Sequence, residues 1–379
     1  MPPDCRNVWP RAWNTACDPA GTETTGRKLN RGRIQTMRYL IVKPSSLGDI
    51  LHAMPAVSAL AKAEPDAVFD WVVKPAFAEL PAYLPCVKRV IPFRDREMRK
   101  FLKFLPEYFR LRADLRRDRY DAVLDLQGLV RSAVIGKMTG CAHRAGPAVP
   151  RERPASKFYT RHLNGVGHRA HAVEVNNALV REFLGRDDLD FSLDLPVNER
   201  AAERARSVVA EAFGGEIPER FVTVAPGARW LTKKWPADFF ASVMKSIAQR
   251  DPGLKFLLVG TRDEIQDAEA ILAQCGGLPA ASVCGETTVG ELLEVVRMSA
   301  LMVCNDSGPM HIAAALGVPV AAVFGPTDPV LTGPYCEKKS VFVPEITCIC
   351  CFLRYCNHSR CHAGIDPALF AESALNLLS

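Results

Sequence analysis

The fold is decided by the stretch MRYLIVKPSSLGDILHAMPAVSALAKA, which runs from Met37 to Ala63. Its apolar run over residues 39–43 predicts a buried strand, and the spacing of apolar residues over 49–62 predicts a helix. The same order of strand, loop and helix recurs along the chain. Because repeated strand–helix units build a parallel sheet that is covered on both faces, the sequence predicts an α/β fold.

The predicted elements form two series, and we expect a hinge in the polar stretch between them at 187–200. The first series has strands at 39–43, 69–73, 89–91 and 122–126 and helices near 49–62, 97–118 and 128–138. After a helix near 198–213, the second series has strands at 221–225, 255–259, 282–284, 301–304 and 320–324 and helices near 236–249, 263–274, 288–298 and 308–316. We therefore predict two doubly wound domains, whose ligands bind beyond the carboxyl ends of the strands.

The composition agrees with a folded protein of two domains. The chain has 379 residues, of which 48% are hydrophobic and 24% charged, and no apolar stretch is long enough to cross a membrane. Half of the net charge of +6 lies in residues 1–36, which have no apolar period and no signal-peptide core. We interpret residues 1–36 as a disordered tail or an upstream start, with the working protein beginning at Met37. The predicted domains cover 37–195 and 196–345, and a Cys-rich segment and a C-terminal helix near 366–378 follow over 346–379.

The loop after the first predicted strand, KPSSLGD, opens the first helix. Gly48 allows the backbone to approach a ligand closely, and Asp49 directs a carboxylate into the crevice. The alternative interpretation is that Ser45 or Asp49 only caps the helix. Neither a Gly-x-x-x-x-Gly-Lys loop nor a Gly-x-Gly-x-x-Gly loop follows any predicted strand, which argues against a kinase and a dehydrogenase.

A second candidate loop, residues 225–236, leaves the first strand of the second series. Arg229, Lys233 and Lys234 gather there beside a helix start, a combination that binds phosphates. A solvated basic loop is the alternative interpretation.

The loop CNDSGPMH, residues 304–311, follows another strand and starts an apolar helix. The free N–H groups near Ser307 and Gly308 predict an anion or ribose site. His311 belongs either to that site or to the core as a hydrogen-bonded residue. The next loop, at 325–329, is a turn that ends a strand and has no necessary further role.

Five segments of the chain resemble, in order, motifs of the ADP-heptose:lipopolysaccharide heptosyltransferases, glycosyltransferase family 9. The resemblance extends from Met37 to about Tyr335. The segments are residues 43–52, 125–132, 227–236, 305–311 and 324–328. In the first half, residues 69–73, 77–81 and 151–156 look most like heptosyltransferase I, the branch that adds the first heptose to the inner Kdo sugar of lipid A–Kdo2.

The resemblance implies a GT-B fold, in which two Rossmann-like domains face each other across a cleft, and an inverting transfer from ADP-L-glycero-D-manno-heptose. It implies that Asp49 is the general base and that Lys233 reaches the donor phosphates. The donor-binding residues would be Arg229, Lys233, Glu264, Asp306, Ser307, Gly308 and His311. The acceptor-binding residues would be Ser46, Gly48, His52, Gln127, Arg131, Arg151 and Arg153. No cofactor or metal would be required.

The acceptor half carries two basic segments. Residues 94–119 contain ten basic and five acidic side chains, and residues 143–169 contain six Lys or Arg against one acidic residue. A solvated face is one interpretation. The other interpretation is contact with an anionic lipid A and the membrane around it. Apolar residues between the charges would aid this contact, namely Phe101, Phe104, Leu105, Tyr108 and Phe109. Alternatively, these apolar residues form the core face of a helix.

The expected partners are therefore ADP-heptose, lipid A–Kdo2 and the cytoplasmic surface of the inner membrane, where the protein would work as a peripheral monomer. Nucleic acid is not expected, because no recognised nucleic-acid module occurs. The alternatives are a heptosyltransferase II-like enzyme, another family member with a different acceptor or sugar, and a non-catalytic nucleotide-sugar sensor.

Five of the 13 cysteines lie close together between 348 and 361, which suggests one special site in a protein of a reducing compartment. The segment resembles a Cys-rich element of other members of the wider family. With His358 and His362, these thiols have the chemistry to hold Zn²⁺; disulfides and reduced packing cysteines are the alternatives. The candidate structural cluster is Cys348, Cys351, Cys356 and Cys361.

Overall fold

The computed structural model describes residues 36–167, 169–346, 348–357, 361 and 364–378. The predictions about residues 1–35, His358 and His362 lie outside these ranges.

The first half is a six-stranded parallel sheet with helices packed on it. Its strands are β1 (Arg38–Val42), β2 (Val68–Val73), β3 (Val87–Pro92), β4 (Ala122–Asp125), β5 (Arg144–Pro147) and β6 (Arg161–Leu163). Its helices are α1 (Leu47–Ala63), α2 (Glu79–Ala82), α3 (Asp95–Met98), α4 (Phe101–Arg116), α5 (Val130–Met138) and α6 (Ala172–Leu184). The strand order is β3-β2-β1-β4-β5-β6.

The second half repeats this plan. Its strands are β7 (Phe221–Ala225), β8 (Lys255–Leu258), β9 (Ala280–Ser282), β10 (Leu301–Asn305), β11 (Val320–Val323) and β12 (Lys339–Phe342). Its helices are α7 (Glu199–Ala212), α8 (Ala237–Arg250), α9 (Ile265–Leu272), α10 (Val289–Met298), α11 (Gly308–Ala315), α12 (Pro329–Thr332) and α13 (Pro367–Asn376). The strand order is β12-β11-β10-β7-β8-β9, again parallel throughout.

Both sheets therefore have the doubly wound 3-2-1-4-5-6 order of a Rossmann-like domain, which confirms the predicted fold class. The order reverses between β1 and β4 in one half and between β7 and β10 in the other. Because ligands of such sheets bind at the reversal point, the loops after these four strands are expected to carry the functional site. One apolar core cluster contains residues of both halves, and α1 packs against both α6 and α11.

The structure contains elements that the sequence did not predict, namely β5, β6, α6, β12 and the one-turn helices α2 and α12. The three strands are short and lack long β-branched runs, and Gly146 in β5 packs against the ring of Tyr159. Helix α6 does have the apolar spacing of a helix. It was not predicted because the interpretation of this region rested on the charge of the preceding segment, residues 143–169. The helix predicted at 97–118 is two helices, because Lys100 adopts an extended backbone conformation between α3 and α4.

The C-terminal helix packs back on the second half, as predicted. Phe370 of α13 is buried, and its ring centre lies 5.1 Å from that of Trp235. The domain limits at 195/196 and 345/346 fall in connecting segments and remain predictions. Within the described ranges, every helix is too short or too polar to cross a bilayer.

Candidate active site

Asp49 lies in the first turn of α1, directly after the loop that leaves β1. The backbone N–H and the hydroxyl of Ser46 both donate to its Oδ2 at 2.9 Å. Arg151, from the loop after β5, donates to Oδ1 at 2.9 Å. The N-cap of α1 is thus Ser46, not Ser45 or Asp49; Asp49 is the third helical residue and completes the capping box, and its second oxygen accepts from the acceptor-half residue Arg151.

The electrostatic surroundings keep this carboxylate ionised. Burial acts to raise the pKa of Asp49, but the positive charges of Lys43 and Arg151 and the hydrogen bonds from Ser46 outweigh it, so the pKa lies below its ordinary value. An ionised carboxylate is the protonation state that a general base requires.

Lys43 is a site residue that the sequence did not predict. It is buried at the end of β1, and its Nζ donates to the carbonyl oxygen of Leu126 at 2.5 Å. Burial lowers the pKa of Lys43 to about 8, although the charge of Asp49 opposes this shift. A lysine that ends an apolar strand was the available signal, because a buried amine needs nearby acceptors.

The loop after β4 is held by buried Asp125, which was also not predicted as a site residue. Its Oδ1 accepts from the backbone of Gln127 at 2.8 Å, and its Oδ2 accepts from the hydroxyls of Ser132 and Tyr159 at 2.8 Å each. Burial raises the pKa of Asp125. The side chain of Gln127 in turn accepts from the Ser45 N–H at 3.4 Å, so the β1 and β4 loops are joined.

The two halves meet at a pair of buried histidines. Nε2 of His52 in α1 lies 3.0 Å from Nδ1 of His311 in α11. Burial lowers the pKa of both rings, to about 4 for His311, so the pair is neutral at pH 7 and one ring donates to the other. A Cβ on Gly48 would lie 2.4 Å from Cδ2 of His311, which shows how closely α1 and α11 approach. A cavity of about 310 Å³, lined in part by both histidines, lies beside this contact.

His311 is therefore a hydrogen-bonded, buried residue, as one of the two interpretations held. It lies in α11, five residues after Asp306, and its ring packs against Gly48, the neighbour of Asp49. A donor-binding role for His311 remains a prediction.

Asp306 connects three strand ends of the second half. Its Oδ2 accepts from Nζ of Lys233, in the loop after β7, at 2.5 Å. The same oxygen accepts from the hydroxyl of Thr327, in the loop after β11, at 2.5 Å. At the start of α11, the buried Ser307 hydroxyl has no hydrogen-bond partner among the described residues. A cation, an unpaired hydroxyl and a helix N-terminus are groups that bind anions in proteins, and the anion site here remains a prediction.

Glu264 lies where the loops after β7 and β8 meet. Its Oε2 accepts from the backbone of Thr261 at 2.7 Å, and a Cβ on Gly227 would lie 1.8 Å from Oε1. Lys234, predicted together with Lys233 as a phosphate contact, instead pairs with Asp267 at 2.6 Å.

Three arginines that were predicted as site residues contact neither Asp49 nor Asp306. Arg131, Arg153 and Arg229 are exposed, and their side chains make no hydrogen bond or ion pair with any other residue that the structure describes. Their predicted roles depend on the ligands and remain predictions.

The Cys-rich segment packs against the donor-side loops. The N–H groups of Cys350 and Phe352 donate to the carbonyl oxygens of Gly325 and Pro326, at 3.0 and 2.7 Å. The guanidinium of Arg354 lies 5.2 Å from the ring centre of Trp230, and Nζ of Lys233 lies 4.7 Å from it.

The described cysteines of this segment form no disulfide, and within the described ranges no group of three or more His, Cys, Asp or Glu side chains is arranged to hold a metal. Burial raises the pKa of Cys361, and the charges of Cys351, Cys356 and Cys348 add to this effect. Cys361 is buried and Cys356 half-buried, whereas Cys348 and Cys351 are exposed, so the role of the candidate cluster stays a prediction.

Comparisons with known proteins agree with this geometry. The glycosyltransferase family 9 (heptosyltransferase) profile matches residues 108–362. Lipopolysaccharide heptosyltransferase 1 of Pseudomonas aeruginosa is 34% identical over 327 residues, 85% of this chain and 88% of that protein. Lipopolysaccharide heptosyltransferase 2 of Escherichia coli is 26% identical over 319 residues, 80% of this chain and 87% of that protein.

Among solved structures, the E. coli heptosyltransferase WaaC with ADP matches with a TM-score of 0.68 and 30% identity, and the match covers 80% of this chain and 92% of that one. The two Rossmann-like halves thus form a GT-B fold, as the resemblance implied. This chain belongs to glycosyltransferase family 9, the heptosyltransferases of lipopolysaccharide core synthesis.

Proposed function

We propose that this enzyme transfers L-glycero-D-manno-heptose from ADP-heptose to the inner Kdo sugar of lipid A–Kdo2, the reaction of a heptosyltransferase I. The greater identity with the Pseudomonas heptosyltransferase 1 than with the E. coli heptosyltransferase 2 supports this choice of acceptor. The ADP in the E. coli relative supports an ADP-linked donor.

The observation that carries the proposal is the ionised, oriented carboxylate of Asp49 on the acceptor half, with the Lys233–Asp306 pair and the start of α11 on the donor half. Inverting transfer needs one base beside the acceptor hydroxyl and a cationic site for the departing diphosphate.

In the proposed reaction, Asp49 takes the proton of the acceptor hydroxyl while the oxygen of that hydroxyl attacks the anomeric carbon of the donor. The bond from that carbon to the diphosphate oxygen breaks, its electron pair leaves with ADP, and the configuration inverts. Lys233 and the α11 N-terminus stabilise the diphosphate, assisted by Arg229, Ser307 and His311. Glu264 lies beside the nucleoside.

On the acceptor side, Arg151 contacts the sugar carboxylates. The other proposed contacts come from Ser46, Gly48, His52, Gln127, Arg131 and Arg153. The protein would act as a monomer at the cytoplasmic face of the inner membrane, without a metal in the transfer step.

The test is release of ADP from ADP-heptose in the presence of lipid A–Kdo2, for the wild type and for Asp49→Asn. We expect the variant to keep its fold and ADP binding and to lose about 10²- to 10⁴-fold in kcat, the range for loss of a general base. Wild-type turnover by the variant would contradict the role of Asp49.

A parallel assay with an acceptor that already carries one heptose tests the choice of acceptor. Turnover of this acceptor alone would assign the chain to the second transfer. No release with either acceptor would favour the sensor or a relative that uses another sugar.

A further inference from the structure

Helix α4 has an apolar face that the described part of the protein leaves uncovered. We call Phe101, Leu102, Leu105 and Phe109 the apolar ridge; Phe101 and Leu102 are 93% and 86% exposed. Phe101, Leu105 and Phe109 follow one another at four-residue spacing and therefore share one side of the helix. The adjacent side of the helix, about a third of a turn away, is packed, because Leu111 and Leu115 are buried in the core.

Exposure of this kind is unusual for large apolar side chains. A contiguous exposed apolar patch on a folded protein marks a surface that binds a partner. The alternative raised from the sequence, that these residues form the core face of their helix, is wrong for the ridge, since Leu111 and Leu115 fill that role.

The charges around the ridge favour one kind of partner. All five acidic side chains of residues 94–119 are ion-paired, whereas Arg96, Arg117 and Arg119 are exposed and have no ion pair with a described residue. Lys100 and Lys103 flank the ridge and share the single carboxylate of Glu97. The segment that carries the ridge, residues 94–119, therefore has a net positive charge.

The ridge is also connected to the loop that carries Asp49. Lys74, after β2, pairs with Asp95 at the start of α3 at 2.7 Å. The N–H of Lys74 donates to the carbonyl oxygen of Pro44 at 2.9 Å, in the loop between β1 and α1. Because β1, β2 and β3 are parallel neighbours, the segments that follow them emerge at the same edge of the sheet.

We propose that the apolar ridge and its basic flank dock the enzyme on an anionic lipid bilayer, with the ridge side chains inserted at the headgroup–acyl boundary. An amphipathic helix with aromatic and leucine side chains beside Lys and Arg binds such surfaces through apolar burial and electrostatic attraction together. The link between this docking and catalysis rests on the proposed function, since it assumes a lipid-borne acceptor.

A second copy of the chain fits the ridge less well than a bilayer does. A two-fold interface places the same surface against itself, so the unpaired arginines of both copies would face one another. Like charges at an interface disfavour association, whereas anionic headgroups neutralise the same arginines.

The experiment is cosedimentation of the full chain with vesicles of phosphatidylcholine, alone or mixed with phosphatidylglycerol. We expect binding to the mixed vesicles and little binding to phosphatidylcholine alone. Phe101→Ser/Leu105→Ser/Phe109→Ser should reduce binding to the mixed vesicles at least about tenfold, because three large apolar side chains no longer leave water.

Matched variants separate the ridge from general surface effects. Leu105 and Leu369 are both helical leucines, 59% and 58% exposed, so Leu105→Ser should weaken binding and Leu369→Ser should not. For charge, Arg117→Gln/Arg119→Gln should weaken binding, and Arg200→Gln/Arg206→Gln, on α7, should not. The proposal would be overturned if Leu105→Ser bound as well as Leu369→Ser and the Arg117/Arg119 variant as well as the Arg200/Arg206 variant. Absence of wild-type binding to the mixed vesicles would also overturn it.

Two further measurements separate membrane docking from catalysis and from self-association. Heptose transfer to a deacylated, water-soluble Kdo acceptor should be unchanged in the triple variant, and absence of this activity in the wild type would instead contradict the proposed function. If sedimentation velocity shows a wild-type dimer that the triple variant abolishes, while vesicle binding is unaffected, the ridge is an interface between copies and the docking proposal fails.

Discussion

Nη2 of Arg151 lies 2.9 Å from Oδ1 of Asp49, although 102 residues separate them in the sequence. The ion pair joins the candidate base to the loop after β5, where an acidic acceptor sugar would bind. An acceptor carboxylate that pairs with Arg151 would therefore compete with Asp49 for the same guanidinium. Loss of that partner would make Asp49 a stronger base at the moment the acceptor is present.

The first prediction concerns this pair. Arg151→Gln removes a cation that lowers the pKa of Asp49, so the pKa should rise, by about one to three units for a carboxylate that loses an arginine partner. The acid limb of kcat/KM against pH should move to higher pH by the same amount. Lys157→Gln, an exposed cation on the same segment, is the control and should leave the limb in place. Identical acid limbs in the wild type, Arg151→Gln and Lys157→Gln would contradict the effect of Arg151 on the pKa of Asp49.

The second prediction concerns Lys233 and Asp306. Lys233→Met removes the cation of the donor site, and we expect kcat to fall about 10²- to 10³-fold, as when one preorganised stabilising donor is lost. It also leaves the buried Asp306 carboxylate with Thr327 as its remaining side-chain donor, so stability should fall as well. Lys233→Met/Asp306→Asn should recover the thermal midpoint without recovering ADP release. Recovery of both would mean that the pair is only structural.

The third prediction concerns the close contact of α1 with α11. In Gly48→Ala the new Cβ would overlap the His311 ring, and overpacking of this kind costs about 1–3 kcal/mol in the free energy of unfolding. Gly167→Ala is the control, because a Cβ there meets nothing within 4 Å. Denaturant titrations of both variants test the difference. A Gly48→Ala protein as stable as the control would show that the two helices separate easily.

The fourth prediction concerns pH. Burial lowers the pKa of His311 from 6.5 to about 4, so below pH 6.5 the unfolded chain binds a proton that the folded protein does not. This contribution to the free energy of unfolding is therefore complete above pH 6.5 and is lost as the pH falls towards 4, by about 1.4 kcal/mol per unit. His311→Gln should be less sensitive to pH over this range. If the free energy of unfolding changes equally with pH in the wild type and in His311→Gln, the lowered pKa of His311 is contradicted.

Much of the fold was predictable because its signals are local. The apolar run before Asp49 and the one before Asp306 each mark a buried strand, and the polar loop after each strand is where a doubly wound sheet places its ligands. The pairing of Lys233 with Asp306 agrees with the grouping of both on the donor side, although their catalytic roles stay predictions.

The remaining contacts join residues that are far apart in sequence, and local patterns carry no information about them. Tyr159 reaches Asp125 across 34 residues, and although Asp125 begins one of the five motifs, nothing in the sequence indicates that Tyr159 is its partner. The exposure of Phe101 likewise depends on which side of α4 the sheet occupies. Spacing alone shows that α4 has two apolar sides but not which of them is packed.

The contact of Gly48 with His311 has a mechanical consequence for the cleft. Residue 48 carries no side chain, so the ring of His311 rests directly on the first turn of α1, and Leu47 rests on Gly308 beside it. Because of this contact, α11 cannot advance towards α1 without overlap, so a relative movement of the two helices would have to tilt about the contact, near the His52–His311 hydrogen bond. A tilt of this kind would change the distance from Asp49 to Lys233 while the pivot itself stays closed.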